Sequence, residues 1–250
     1  MCGFYFDFMA KNVGLIQFEG SIGDLVAYHR NGSLIIQRKG GFDGKRLKTE
    51  ERYESVRKRQ SEFGKCAKLA SGIKRAMSWW LQWVPENMIY NHIQSVVMGV
   101  KNCDVLSEKG AKTFEKGIAT VAGAALFRKF QLHPKRSLSA GTTIVTPFNF
   151  ETGTVSVTPH QYKLKPRMSL GVELLLLQID LTTYDYQVIS GGVQYCDALH
   201  QTIDLQVAVP QEAVFMAAFL FVGKCEKVGK SYTWMRDIET GFGLLDFKLA

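Results

Sequence analysis

The sequence predicts an α+β protein in which a β-hairpin and a helical unit precede an antiparallel, immunoglobulin-like β-sandwich. Residues 49–84 keep the spacing of a helix face in their apolar side chains, and from Thr142 onward the spacing changes to the alternation of strands. Between the two patterns, residues 131–141 contain the helix-breaking His133-Pro134 pair. We therefore expect two domains, residues 1–136 and residues 137–250, joined by an exposed segment.

A β-hairpin is predicted at residues 25–39, because Asn31 and Gly32 lie between two β-rich runs. A type I′ turn needs positive φ at both central residues, and Asn-Gly adopts it readily. The β-rich run at residues 15–19 is expected to cover one edge of this hairpin and to leave the other edge open. Isolated hairpins are marginal in water, so we expect this one to need a partner.

Residues 49–84 predict one long helix that serves as the hub of the protein. Thr49 suits the N-cap position, and Pro85 limits the far end, because the residue before a proline is pushed out of helical geometry. Trp79 and Trp83 share a face beside the core stripe, where they either complete a core between helices or enter an interface. The stripe expected to face the core consists of Tyr53, Val56, Phe63, Ala67, Ala70, Ile73, Met77, Trp80, Leu81 and Val84.

The elements after Pro85 follow from the same patterns. Helices are expected over residues 86–102, after a cap at Ser107, and over residues 121–130. His92 lies in the apolar stripe of the first of these and is interpreted as a hydrogen-bonded core residue. Strands are expected at residues 154–159, 172–181, 184–190, 202–209, 213–223 and 231–237.

The net charge of +8 is unevenly distributed, at +11 over residues 1–136 (23 basic, 12 acidic) and −3 over residues 137–250 (8 basic, 11 acidic). Such asymmetry is typical of a contact with nucleic acid, with an acidic protein surface, or between copies of one protein. A solvated helix face explains the same charges without a partner. The candidate nucleic-acid contacts in the basic segment 38–75 are Arg52, Arg57, Lys58, Arg59, Lys68 and Arg75.

No catalytic, cofactor-binding or metal-binding pattern is found in the sequence, so we expect a protein that is not an enzyme. The glycine-rich residues 39–45 lack the spacing of a phosphate-binding loop, and Gly241-Phe242-Gly243 lacks the third glycine of a dinucleotide loop. Five cysteines without a CxxC pair predict reduced thiols in the cytoplasm. No apolar run approaches the roughly 20 residues that span a bilayer, and we expect no membrane contact.

The run GLIQFEGSIGDLVAYHRNGSLIIQRKGG at residues 14–41, followed by SEFGKCAKLASGIKRA at residues 61–76, resembles a family of uncharacterised bacterial proteins. The similar sequences begin with a short β segment containing G-x-I-G and continue with an Arg-rich helix. The resemblance extends over residues 1–130, and its motifs are structural, so it implies no catalytic residue. Members found in phage-derived islands imply a structural or assembly role.

These features predict a structural or assembly protein that acts by self-association as a homo-oligomer, as a component of a phage or of a phage-derived particle assembled in the cytoplasm. The first alternative is a nucleic-acid-binding module that uses residues 38–75. A carbohydrate-binding or ligand-binding β-sandwich is the third class. The residues expected at the self-association interface are Trp79, Trp83, Leu25, Tyr28 and Ile35.

Overall fold

The structure is a computed structural model that describes residues 10–11, 19–39, 44–197, 199–211, 215–229 and 231–249. The chain divides into two compact units, residues 1–54 and residues 55–250. Helices and antiparallel sheets both occur, so the predicted α+β class is confirmed.

The first unit contains a four-stranded antiparallel sheet whose central pair is the predicted hairpin. Strands β1 (Ala10–Lys11), β2 (Gly20–Ile22), β3 (Leu25–Arg30) and β4 (Ser33–Arg38) lie in the order β1-β4-β3-β2. Asn31 and Gly32 join β3 to β4 with φ values of 53° and 76°, the positive values that a type I′ turn requires. The hairpin prediction is confirmed.

The prediction that one edge of the hairpin stays open is wrong, because short strands pair with both of its sides. β1 pairs with β4 at Ile35 and Ile36, and β2 pairs with β3 from Leu25 to Ala27. The chain that precedes the hairpin supplies both of these strands. The predicted run at residues 15–19 lies outside the described residues except for Glu19.

The long helix begins later than the sequence predicts. Helix α1 (Gly44–Thr49) and a 3-10 turn (Glu51–Tyr53) precede it, so Thr49 ends a short helix and does not cap the long one. Helix α2 spans Glu54–Ala76, and α3 (Ser78–Leu81) follows it after Met77. Met77 leaves helical geometry, with ψ of 8°, although its N–H still donates to the carbonyl of Ile73 (3.0 Å). The interruption is therefore confined to one residue.

Three further helices complete the helical layer of the second unit: α4 (Ile89–Asn102), α5 (Phe114–Ile118) and α6 (Val121–Arg128). Thr113 and Thr120 cap α5 and α6 through their side-chain oxygens. The predicted cap Ser107 lies in the loop before α5 and caps neither helix. Gly117 lets α5 approach α4 closely, since a Cβ at this position would lie 2.1 Å from the carbonyl oxygen of Val100.

The strands of the second unit form two antiparallel sheets. They are β5 (Thr142–Asn149), β6 (Thr154–Pro159), β7 (Met168–Ile179), β8 (Tyr186–Cys196), β9 (Ile203–Gln206), β10 (Phe215–Val228), β11 (Ser231–Trp234) and β12 (Gly241–Leu249). Among the described residues, the larger sheet has the order β11-β10-β7-β8, with β12 also paired to β10, and the smaller sheet has the order β5-β6-β9. Strand β12 was not predicted.

Strands β7 and β10 form the centre of the second unit and are covered on both faces. They pair from Phe215 opposite Ile179 to Glu226 opposite Met168. Side chains at odd positions, such as Leu175 and Phe219, pack with the helices in one apolar core. Side chains at even positions, such as Leu174 and Leu220, pack with the smaller sheet in a second core. Because successive side chains of a strand point to opposite faces, one strand pair contributes to both cores.

Residues 131–141 do not form the exposed joint that the sequence predicts. Leu132 and His133 are buried, and the N–H of Leu132 donates to the carbonyl oxygen of Phe242 (2.7 Å). The N–H of Leu244 donates in turn to the carbonyl oxygen of Phe130 (3.0 Å), so the segment runs along β12. The helices and the larger sheet share one core, and the two compact units divide near residue 54 instead.

Limited digestion with trypsin is expected to spare Lys135 and Arg136 in the folded protein. Cleavage requires local unfolding, which would expose buried Leu132 and Leu138 and break the bonds to β12. Lys109, in an exposed loop, should be cut earlier. Mass spectrometry of the fragments measures the order, and urea-denatured protein is the control in which all three sites are cut. An early fragment that ends at Lys135 or Arg136 would contradict the shared core.

Candidate functional site

The three tryptophans at the end of the helical hub lie in different environments. Trp79 is 59 % exposed, which makes it available to another molecule. Trp80 is half-buried and donates its indole N–H to Glu173 Oε2 (2.7 Å). Trp83 is half-buried against the core beneath the helices, and its indole N–H has no partner among the described groups. Of the two predicted interface tryptophans, Trp79 therefore suits a contact with another molecule, and Trp83 mainly completes the core.

The three hairpin residues predicted for the interface do not share one face of their sheet. Tyr28 and Ile35 are opposite one another on β3 and β4, so they point to the same face, and both are half-buried. Leu25 points to the other face, because it is an odd number of residues from Tyr28. It is 43 % exposed and lies opposite Ile22, which is 59 % exposed. Ile22 and Leu25 form an exposed apolar pair, of which the sequence analysis missed Ile22 in its glycine-flanked turn.

The predicted nucleic-acid residues do not form one patch. Arg57, Lys68 and Arg75 recur at intervals of 11 and 7 residues, which places them on one face of α2. Lys58 lies against Gly110, whose Cβ would be 2.9 Å from Lys58 Cγ. Arg59 lines a cavity beside the core face of the helix. Arg52 belongs to the first unit, where it pairs with the carboxylate of Glu50 and lies over the ring of Tyr53.

A buried ion pair that the sequence analysis missed connects α2 to α4 and to the loop after α4. Glu62 and Lys101 are each 5 % exposed, and Lys101 Nζ donates to Glu62 Oε2 (2.8 Å). Glu62 Oε1 accepts hydrogen bonds from the backbone N–H groups of Gly110 (2.6 Å) and Lys112 (3.3 Å). Burial by itself would raise the pKa of Glu62, but these hydrogen bonds outweigh it and hold the pKa below its ordinary value of 4.5.

The buried face of α2 is rotated from the predicted stripe so that Glu62 faces inward. Cys66, Leu69 and Ile73 are buried on this face, whereas Phe63, which was predicted to face the core, is 51 % exposed. A glutamate between basic residues is normally a solvent-facing residue. Its partner Lys101 lies 39 residues away, so no local pattern in the sequence indicates that Glu62 is buried.

A cavity of about 300 Å³ lies among α2, the start of α5 and the turn that joins β7 to β8. Leu69, Phe114 and Leu181 give it apolar walls, and Lys65 and Lys112 are also among the residues around it. Cys66 lines it too, and burial raises the pKa of this thiol, which keeps it protonated and weakly nucleophilic at neutral pH. The cavity offers space and apolar surface, with no activated nucleophile among the described side chains.

Within the described ranges, no three His, Cys, Asp or Glu side chains converge where they would hold a metal ion. None of the helices in the part of the chain that the structure describes has the length and apolarity to cross a membrane. No family model, curated protein or solved structure matches the chain. Function is therefore inferred from the side chains described above.

Replacing Glu62 with Ala is expected to lower the free energy of unfolding by about 3–5 kcal/mol, because the change leaves the buried ammonium of Lys101 without its partner. The matched control is Glu108→Ala, an exposed carboxylate in the adjacent loop, which should change stability by less than about 0.5 kcal/mol. Urea denaturation followed by circular dichroism measures both values. Equal effects of the two substitutions would show that the ion pair contributes nothing.

The same glutamate is expected to make stability depend on acid pH. Its pKa in the folded protein is lower than in the unfolded chain, so its contribution is present above pH 4.5 and is lost as the pH falls through the folded-state value. Glu62→Gln should remove this part of the pH dependence while keeping a side chain of similar size. Urea midpoints measured from pH 7 to pH 3 test it, and parallel pH profiles for wild type and Glu62→Gln would contradict it.

Proposed function

We propose that this is a non-enzymatic structural or assembly protein that acts by binding copies of itself. The observation that carries the proposal is the exposed indole of Trp79 at the end of the hub, beside Trp80 and Trp83, which both pack inward. Tryptophan is enriched among the residues that dominate protein interfaces, since a large rigid ring loses little entropy when it is buried. An indole left 59 % exposed on a folded surface fits such a contact.

The exposed pair Ile22 and Leu25 supplies a second apolar contact in the first unit. Fully burying one large apolar side chain contributes about 1.5–3 kcal/mol, and association costs more than one such contact returns. Several contacts must therefore act together to hold an oligomer. The opposite charges of residues 1–136 and 137–250 favour contact between unlike parts of two copies.

The proposal includes assembly in the cytoplasm into a phage or phage-derived particle, and its support is the resemblance of residues 14–41 and 61–76 to proteins of such islands. It also keeps the immunoglobulin-like arrangement of β5 to β12 as a prediction, supported by two antiparallel sheets that enclose a common core. Self-association depends on neither of these two points.

The alternative function, nucleic-acid binding, is favoured by one face of α2. Arg57, Lys68 and Arg75 lie on that face, and uncharged Ser61, Gly64 and Ser71 lie between them. A row of cations without interleaved acids is a surface that phosphate groups can approach. The row covers 18 residues of helix, and at 1.5 Å per residue it extends about 27 Å.

Wild-type protein is expected to form oligomers whose mass rises with concentration, and Trp79→Ala should weaken them by about tenfold or more in dissociation constant, because an interface loses its large aromatic contact. The matched control is Leu106→Ala, which removes an apolar side chain that is 93 % exposed at another site. Size-exclusion chromatography with light scattering measures the masses, and circular dichroism confirms that helix content is kept. A wild type that stays monomeric at high concentration would refute self-association.

If the basic face of α2 binds nucleic acid, duplex DNA affinity should fall steeply with salt, by a log–log slope of about 0.9 for each phosphate contact. The triple substitution Arg57→Glu, Lys68→Glu and Arg75→Glu should abolish binding. The matched control reverses the exposed charges Lys163, Lys165 and Arg167 in the loop between β6 and β7 and should retain binding. Fluorescence anisotropy measures affinity, and absence of binding by the wild type at low salt would eliminate this alternative.

A further inference from the structure

Strand β8 forms one edge of the larger sheet. Its 11 residues pair with β7 from Cys196 opposite Leu170 to Tyr186 opposite Ile179. In the described part of the chain, no strand pairs with its other side. A sheet edge presents a row of backbone donors and acceptors that can pair with another strand.

The sequence of this edge lacks the residues that usually prevent such pairing. Residues 186–196 read YQVISGGVQYC and contain no Lys, Arg, Asp, Glu or Pro. Natural edge strands are generally protected by charged side chains, by proline or by being very short. β8 has a β-bulge as its only device of this kind, and that bulge occurs in the middle of the strand.

The first three residues of the segment 186–195 are of the same types as its last three residues taken in reverse order. Tyr186 corresponds to Tyr195, Gln187 to Gln194, and Val188 to Val193. When two copies of a strand run antiparallel, a sequence of this kind places each outer residue opposite one of its own type. Such self-complementarity is what a two-fold interface between identical chains requires.

The bulge makes this pattern compatible with a two-fold axis. Tyr186 and Tyr195 are an odd number of residues apart, so a regular strand would point them to opposite faces. Between the pairs Leu175–Ser190 and Glu173–Val193, however, three steps of β8 correspond to two of β7, and Gly192 has a φ of 80°. The extra residue in β8 shifts the alternation of side chains by one position. Tyr186 and Tyr195 therefore both point to the helix side of the sheet.

The register with β7 also locates the centre of the pattern. Tyr186 and Tyr195 lie opposite Ile179 and Gly171, whose midpoint is Leu175, and Leu175 lies opposite Ser190. The pairs Gln187–Gln194 and Val188–Val193 have the same midpoint, since they lie opposite residues 178 and 172 and residues 177 and 173 of β7. All three pairs are therefore symmetric about Ser190.

Two contacts hold the carboxy-terminal end of the pattern in place. The ring of Tyr195 stacks on that of Tyr232, with centroids 3.9 Å apart and an interplanar angle of 13°. Gln194 Nε2 donates to the carbonyl oxygen of Asp204 on β9 (2.9 Å). This end of the edge is thus ordered before any partner arrives, which lowers the entropic cost of pairing.

We propose that β8 is the surface through which two copies of this chain associate, by antiparallel pairing about a two-fold axis at Ser190. The inference rests on the proposed self-association and adds a second contact surface to the one proposed at Trp79. In this register Gln187 lies opposite Gln194 of the second copy, Val188 opposite Val193, and Tyr186 opposite Tyr195. The two larger sheets then continue into one another through main-chain hydrogen bonds.

Two double variants that differ only at residue 187 test the register. Gln187→Lys with Gln194→Lys places like charges opposite each other twice in the dimer, whereas Gln187→Glu with Gln194→Lys places opposite charges there. Both variants lose the bond from Gln194 to Asp204, so that loss cancels in the comparison. Dissociation constants come from sedimentation equilibrium at low salt, and circular dichroism verifies the fold of each variant.

The Lys/Lys variant is expected to dissociate at least about tenfold more readily than the Glu/Lys variant. If wild type associates and the two variants bind alike, association uses another surface, and the β8 inference fails while the proposed function stands. If wild type is monomeric at every concentration, both fail together. Raising the salt concentration should shrink the difference between the variants, because exposed charges are screened.

Discussion

The central constraint on the second unit is that strands β7 and β10 are apolar on both faces. Leu174, Leu175, Leu176 and Leu177 follow one another and are at most 1 % exposed, and β10 has a similar apolar run from Phe215 to Val222. Leaving either face in water would cost about 1.5–3 kcal/mol for each large side chain. The helices cover one face and the smaller sheet covers the other, so the layered arrangement follows from these two strands.

Elements with a local signal could be predicted from the sequence. The hairpin follows from Asn31 and Gly32, whose turn geometry is set by adjacent residues, and β6 has the bounds expected from its alternating pattern. Strand β12 was missed, because Gly241 and Gly243 are residue types that are depleted inside strands. Gly243 is instead a close-packing position, where a Cβ would lie 2.2 Å from Gln131 Oε1. Periodicity reports which face a residue occupies, and it does not report what approaches that face.

Features set by distant residues could not be predicted. The inward rotation of Glu62 depends on Lys101, and the burial of the segment around Leu132 depends on Phe242, more than 100 residues later. The distinction between Trp79 and Trp83 also escaped the helical pattern, because the helix is interrupted at Met77. Of the predicted interface residues, the structure leaves Trp79 and Leu25 exposed and Tyr28, Ile35 and Trp83 half-buried.

The order of the layers along the chain bears on how the protein is made. Helices α2 to α6 and strands β5 and β6 all precede β7, and β9 precedes β10. A ribosome releases the amino-terminal part of a chain first, so most of both covering layers has emerged before the most apolar strands do. The segment most prone to aggregate thus spends the least time without its cover, because the order of synthesis places most of the covering layers before it.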